Sequence, residues 1–165
     1  MTEPRASRPH MPGYGVRGPH EGTGLLPWTW AEERLEASRN YWVNTLWPDG
    51  RPHSMPVWGV WDGSALWFSS SLRSRKARNI AGDPRCVATT EDANEPVVLE
   101  GLAAIVAEAA AIARVVELMN AKYDSGMTVE FLDPAVNATI RLQPRWAFGI
   151  AHDDFTGSPT RWVFE

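Results

Sequence analysis

Residues 48–79 read P-D-G-R-P-H-S-M-P-V-W-G-V-W-D-G-S-A-L-W-F-S-S-S-L-R-S-R-K-A-R-N. Pro48-Asp49-Gly50 is a turn between an aromatic and β-branched run, Tyr41 to Trp47, and a second such run, His53 to Trp61. Two runs joined this way form a hairpin. Asp62-Gly63 signals a two-residue type I′ turn, which brings Ala65 to Ser70 back antiparallel. The expected product is a three-stranded meander. Ser71 or Ser74 then caps a short helix to about Ala81, ended by Gly82-Asp83-Pro84. Arg73, Arg75, Lys76 and Arg78 place four cations within six residues of a chain whose formal net charge is -4.

Downstream, Cys86 to Thr90 reads as a fourth strand and Val97 to Val106 as a long fifth, with Gly101 as a bulge. Apolar residues at Ile112, Val115, Val116 and Met119 have helical spacing, so 108–123 is expected to be a helix. Residues 124–134 read as a loop, and 138–142 and 146–151 as strands separated by Pro144. Residues 161–164 form a last short strand. Upstream, four prolines and five glycines within residues 4–24 block regular structure, so 1–24 is expected to be a flexible arm and 25–165 a single domain. Thr29 followed by Glu32 and Glu33 predicts a helix over 30–38. Many short strands with few helices point to an antiparallel barrel rather than a parallel βαβ sheet.

Composition narrows the function classes. The 44% hydrophobic and 22% charged content is that of a globular domain, and 165 residues suffice for a sizeable core. The acidic balance argues against nucleic acid as a partner. No apolar run is long enough to cross a bilayer, and the N-terminus lacks the apolar core of a secretory signal, so a cytoplasmic location with no membrane partner is expected. Cys86, the single cysteine, excludes an internal disulfide and a Cys-cluster zinc site, and its apolar neighbours read as those of a buried structural thiol. Histidines at 10, 20, 53 and 152 have no ligand spacing, so no metal is expected. No Ser-His-Asp arrangement can be assembled. Nine tryptophans are the compositional oddity; most belong in the core, and a minority is available to line a pocket for a flat ligand.

The basic segment has two readings. The first turn of a helix at Ser74 offers unpaired N–H groups, Ser69, Ser70 and Ser71 add hydroxyls, and Arg75 and Lys76 add charge, a set that suits a phosphate. Met55, Val57 and Trp58 on the preceding strand would form an apolar wall for a planar ring. The alternative is a solvated basic face paired with acids such as Asp83.

Several segments resemble the pyridoxamine 5'-phosphate oxidase-like split β-barrel family of flavin and deazaflavin oxidoreductases. These are D-G-R-P-H-x-x-P-V at 49–57, S-x-x-S-R-K-A-R-N at 71–79 with D-P-R at 83–85, V-V-L-E-G-L-A at 97–103 and R-L-x-P at 141–144. Their order and spacing extend the resemblance over about residues 40–150. It implies a six-stranded antiparallel Greek-key split β-barrel of the FMN-binding type, forming a homodimer with cofactor at the subunit interface.

By the resemblance, Ser74, Arg75 and Lys76 fall on the family's phosphate-binding S-R-K positions, and Ser69, Ser70 and Ser71 lie beside the ribityl-phosphate. His53, Met55, Pro56, Val57 and Trp58 fall on the strand along which the ring lies. Trp146 falls near the segment that reaches the partner subunit's site. The oxidase's own R-x-V-L-L-K strand and R-x-H-D-R segment are missing, so pyridoxine phosphate oxidation is not expected. Pro56-Val57 with K-A-R-N at 76–79 resembles the branch that uses the deazaflavin F420, which is slightly favoured over FMN. The implied activity is hydride transfer between that cofactor and a small organic substrate, with no catalytic side chain assigned because the cofactor carries the chemistry. A non-catalytic FMN- or F420-binding or sensing protein is the alternative.

Overall fold

Short apolar runs and closely spaced turns produce a protein built mainly of strands. The computed structural model describes residues 3–165, among which nine strands pair antiparallel into one sheet and three α-helices pack on it. In chain order these are β1 Arg5–Ser7, α1 Trp28–Ala37, β2 Tyr41–Leu46, β3 Pro52–Val57, β4 Gly59–Trp61, β5 Leu66–Ser71 and α2 Arg75–Gly82. They continue with β6 Arg85–Thr90, β7 Val97–Val106, α3 Ala109–Tyr123, β8 Asn137–Gly149 and β9 Thr160–Val163. The ladder runs β1-β9-β8-β7-β6-β2-β3, and β5 pairs with both β8 and β4. The expected mainly-β antiparallel class is the class observed.

The expected meander is instead two hairpins, β2–β3 and β4–β5, because the run from His53 to Trp61 breaks at Trp58. The break lets one continuous segment leave β2 and join β5. Gly59 permits it: a Cβ there would lie 3.1 Å from the Tyr41 ring and 3.0 Å from the Trp67 carbonyl. The turn centres on Gly63-Ser64 rather than Asp62-Gly63: Asp62 N–H donates to Ala65 O at 3.2 Å, and Gly63, the first central residue, alone has a positive φ, of 88°, which fits type II′ rather than type I′. The Asp62 carboxylate stabilises it by accepting from Ser64 N–H and Ala65 N–H, both at 2.8 Å. Helix α1 starts at Trp28 rather than Trp30; Pro27 precedes it, and no side chain caps it. The 124–134 loop contains a 3-10 turn, Val129–Leu132.

Pro144 does not divide two strands. It lies within the single strand β8, opposite Gly101, where the β7–β8 register shifts between Glu100 and Gly101. A bulge is where a sheet tolerates a proline.

The inward face carries the main core: Tyr41, Val43, Leu66, Phe68, Leu99, Ile140, Leu142 and Trp162 from strands, Trp28 and Leu35 from α1, and Ala77 and Ile80 from α2. Trp28 meets Trp61, Trp162 and Phe164 edge-on with ring centroids 5.0–6.1 Å apart, which docks the start of α1 on the core. The face of α3 that its spacing predicted, Ile112, Val115, Val116 and Met119, covers Val60 and Trp67 in a second cluster. Cys86 sits buried in the main core, and burial pushes its thiol up to about 12, which makes it inert as a nucleophile at neutral pH.

The proline- and glycine-rich stretch contains regular structure that its composition did not suggest. Arg5–Ser7 lies between Pro4 and Pro9, contains no glycine, and pairs with β9. Arg8 donates to the carbonyls of Pro159 (2.7 Å), Gly157 (2.6 Å) and Gly18 (2.9 Å). Asp154 accepts from Thr23 N–H (2.7 Å), Thr23 Oγ1 (2.8 Å) and Gly157 N–H (2.9 Å). Those bonds hold its pKa below the usual carboxylate range, so the tie is present at neutral pH and fades as pH falls through the lowered value. Asp154→Ala should therefore speed limited proteolysis within residues 8–24 at pH 7 while leaving the rest of the chain protected. A protection time equal to wild type contradicts this tie.

Candidate functional site

The β2–β3 turn and the start of α2 bring the basic residues together. Ser74 has extended backbone geometry and its Oγ accepts from Ala77 N–H at 3.2 Å, so of the two serines the sequence offered, Ser71 and Ser74, the cap is Ser74. Ser74 N–H donates to Ser71 O (2.9 Å), and Ser71 Oγ accepts from Arg73 N–H (3.1 Å), which fixes the approach to the helix. Inside, Asn79 donates to Thr45 Oγ1 (3.0 Å), tying α2 to β2.

Three basic groups converge here. Lys76 Nζ, half-buried, donates to Ser70 Oγ at 3.2 Å, and burial lowers its pKa. His53 Nδ1 is buried without a hydrogen-bond partner. Burial and then the charges of Lys76 and Arg75 lower the pKa of His53. Arg75 lies over the Trp47 ring, Cζ 3.8 Å from the centroid. None of Arg73, Arg75, Lys76 and Arg78 forms an ion pair among the described residues. The acid named as an alternative is already engaged: Asp83 binds Arg85 at 2.6 Å and is held down to about 2 by it; nearby Asp49 likewise binds Arg51 at 2.7 Å. An unneutralised cationic cluster with a partnerless imidazole nitrogen is chemically suited to an anion.

Strand alternation sorts the other candidates. On β3, His53, Met55 and Val57 pair with Thr45, Val43 and Tyr41, which are buried inward, so these three share the inward face. Met55 is nevertheless 45% exposed, which leaves an accessible apolar surface next to His53. Pro56 pairs with Trp42 on the opposite face, and Trp58 stacks on Tyr123 with centroids 4.5 Å apart and planes 4° from parallel. Of the expected wall of Met55, Val57 and Trp58, Met55 and Val57 share one face of β3, and Trp58 follows the strand's end against Tyr123. On β5, Ser70 shares the Phe68 face and reaches Lys76, whereas Ser69 lies opposite Thr139 on the other face.

Trp146 is not part of this cluster within one chain. It lies on β8 opposite Glu100, eight residues from Ala138, the partner of Ser70, or about 26 Å of extended strand. Trp146, Trp42 and Leu102 are 41%, 47% and 40% exposed on the outward face of β2, β6, β7 and β8, left uncovered at these positions among the described residues.

The residue that sequence reasoning missed is Trp47, which contacts both Arg75 and His53. Its signal was its place immediately before the P-D-G turn, where a strand-end side chain can reach back over the hairpin. Among the described residues, no helix is long and apolar enough to cross a membrane, and no group of three or more His, Cys, Asp or Glu could hold a metal ion.

Comparison with known proteins follows the same outline. The family profile described as pyridoxamine 5'-phosphate oxidase matches residues 30–148. A crystal structure of a conserved hypothetical protein from Mycobacterium tuberculosis is similar at 28% identity and TM-score 0.67, over 77% of this chain and 86% of that one. A structure titled F420 reductase is similar at 27% identity and TM-score 0.57, over 68% and 91%. General stress protein 26 of Bacillus anthracis shares the fold at 16% identity and TM-score 0.57, over 74% and 92%. No curated protein matches the sequence.

Proposed function

Because the chain belongs to the pyridoxamine 5'-phosphate oxidase family, we propose that it is an oxidoreductase that binds F420 or FMN and exchanges hydride with a small organic substrate. The observation that carries this reading is the convergence of Arg75, Lys76 and His53 with no carboxylate to neutralise them, beside exposed Met55. Arg75, Lys76 and Ser70 would hold the ribityl-phosphate, and Met55 and Val57 would lie along the ring. Bound cofactor supplies the redox chemistry; the chain supplies position, charge and exclusion of water. F420 is favoured because Pro56-Val57 with K-A-R-N at 76–79 resembles the branch that uses it, and because the F420 reductase structure is 27% identical.

The same reading extends to assembly. If β3 and β4 are taken as one bent strand, β2, β3–β4, β5, β8, β7 and β6 close a six-stranded split barrel of the Greek-key type. The uncovered outward face, with Trp42, Trp146 and Leu102, then meets a second copy, as exposed aromatics on a sheet face favour. The homodimer places the partner's Trp146 at the cofactor, and the protein works in the cytoplasm.

Reconstitution tests the function. Protein incubated with FMN or F420 and freed of excess should retain a chromophore whose absorbance identifies it, and the reduced form should be reoxidised by at least one member of a panel of organic acceptors. Tight binding without turnover would assign storage or sensing instead.

His53 gives a pH signature. Its pKa is lowered in the free protein, and an anion among the three bases raises it, so proton and anion bind cooperatively. Sulfate, whose charge is constant in this range, should bind more tightly as pH falls from about 7 to about 5.5. His53→Gln should flatten that dependence, and a flat profile in wild type contradicts the placement of His53 at the anion.

A further inference from the structure

We propose that Trp47 is a positioning residue for the anion site: its indole is the platform that holds the Arg75 guanidinium ready for the cofactor's ribityl phosphate. This inference rests on the reading that Arg75 and Lys76 bind the cofactor phosphate, and it adds a residue that no motif of the chain indicates.

Arg75 Cζ lies 3.8 Å from the Trp47 ring centroid, and the Arg75 guanidinium makes no hydrogen bond among the described residues. Stacking engages the flat face of a guanidinium and leaves its N–H donors, which lie in its plane, free at the edge. An arginine held only by its face is thus restrained while still able to grip two phosphate oxygens. An unrestrained Arg75 would lose that freedom only on binding, at a cost in affinity.

Trp47 is itself fixed. Its N–H donates to Arg51 O at 2.9 Å and its carbonyl accepts from Gly50 N–H at 2.9 Å, closing the β2–β3 turn, where Gly50 takes a φ of 83°. Arg51 also approaches the indole, Cζ at 4.7 Å, but it is paired with Asp49, so the two arginines differ in what they have left to offer. His53 meets the same indole edge-on at 6.2 Å, so one ring touches two of the three basic groups.

A double-mutant cycle tests the proposal. Affinities for FMN and for F420 are measured with wild type, Arg75→Gln, Trp47→Leu, Trp47→Phe and the Trp47→Leu/Arg75→Gln pair, each checked by thermal unfolding. Trp47→Leu should weaken binding by about tenfold, and Trp47→Phe, which keeps a π face, should recover most of it. The double variant should bind little more weakly than Arg75→Gln alone, because the indole acts chiefly through that arginine, and the edge-on His53 contact is the smaller share. If Trp47→Leu does not fold, Trp47→Gln, which keeps length but no π face, takes its place in the cycle. Fully additive losses, or an unchanged affinity in Trp47→Leu while Arg75→Gln binds weakly, overturn the role of Trp47 and leave the phosphate reading standing. Unchanged affinity in Arg75→Gln overturns both.

Discussion

Replacing Arg75 and Lys76 together with alanine should nearly abolish cofactor binding while leaving the fold intact. A charge-assisted hydrogen bond contributes roughly 1.5–3 kcal/mol. Losing two weakens binding by about 3–6 kcal/mol, a factor on the order of 10² to 10⁴. Stability should move the other way. Lys76 is half-buried with a lowered pKa, and it faces Arg75 and His53 with no acid between them. Removing two cations that have no acid between them, one of them half-buried, relieves repulsion and burial cost in the free protein, so the double variant should melt at or above the wild-type temperature. Titration of each variant alongside its melting curve checks both halves. Lower melting with unchanged binding would mean that the cations serve the fold and not a ligand.

Gly101→Ala should be among the most destabilising single changes in the sheet. A Cβ there would meet the Gln143 carbonyl oxygen at 2.0 Å and the Pro144 Cα at 2.8 Å, which are backbone atoms that cannot rotate aside. The cost should reach about 3 kcal/mol, the upper end for overpacking. That corresponds to a fall in melting temperature of about 6–12 °C for a chain of this size. Gly82 gives the control. It ends α2 with open space around its Cα, so Gly82→Ala should be neutral or stabilising, by about 0.4–1 kcal/mol. A melting curve for Gly101→Ala that matches wild type would mean the bulge can slide to another register.

The two sites explain what could be read in advance. Strands and helices with strong local signals were legible: Ser74 as the α2 cap, Val97–Val106 as one strand with its bulge at Gly101, and the α3 face through Ile112, Val115, Val116 and Met119. Features set by a distant partner were not. Pro144 looked like a strand end because its tolerance depends on Gly101, more than forty residues earlier. Arg5–Ser7 looked like arm because the free edge of β9 that receives it is invisible locally.

The candidate site divides the same way. The residue types Arg75, Lys76 and Ser70 were legible as a phosphate set, since charge and hydroxyls need no register. Which side chains share a face was not, because it turns on where β3 starts and on its period-two count, which puts Pro56 on the face opposite His53. Trp47 escaped notice because its contact with Arg75 spans two elements.

The central claim is that Arg75, Lys76 and His53 form the phosphate end of a ring-plus-phosphate site. Its most direct measurement is an equilibrium titration of the wild-type protein with FMN and F420, each beside its dephosphorylated counterpart. At least one phosphorylated cofactor should bind in the micromolar range or tighter, and its counterpart about a hundredfold more weakly. Equal affinity for the two forms, or no binding by either cofactor, would contradict the account.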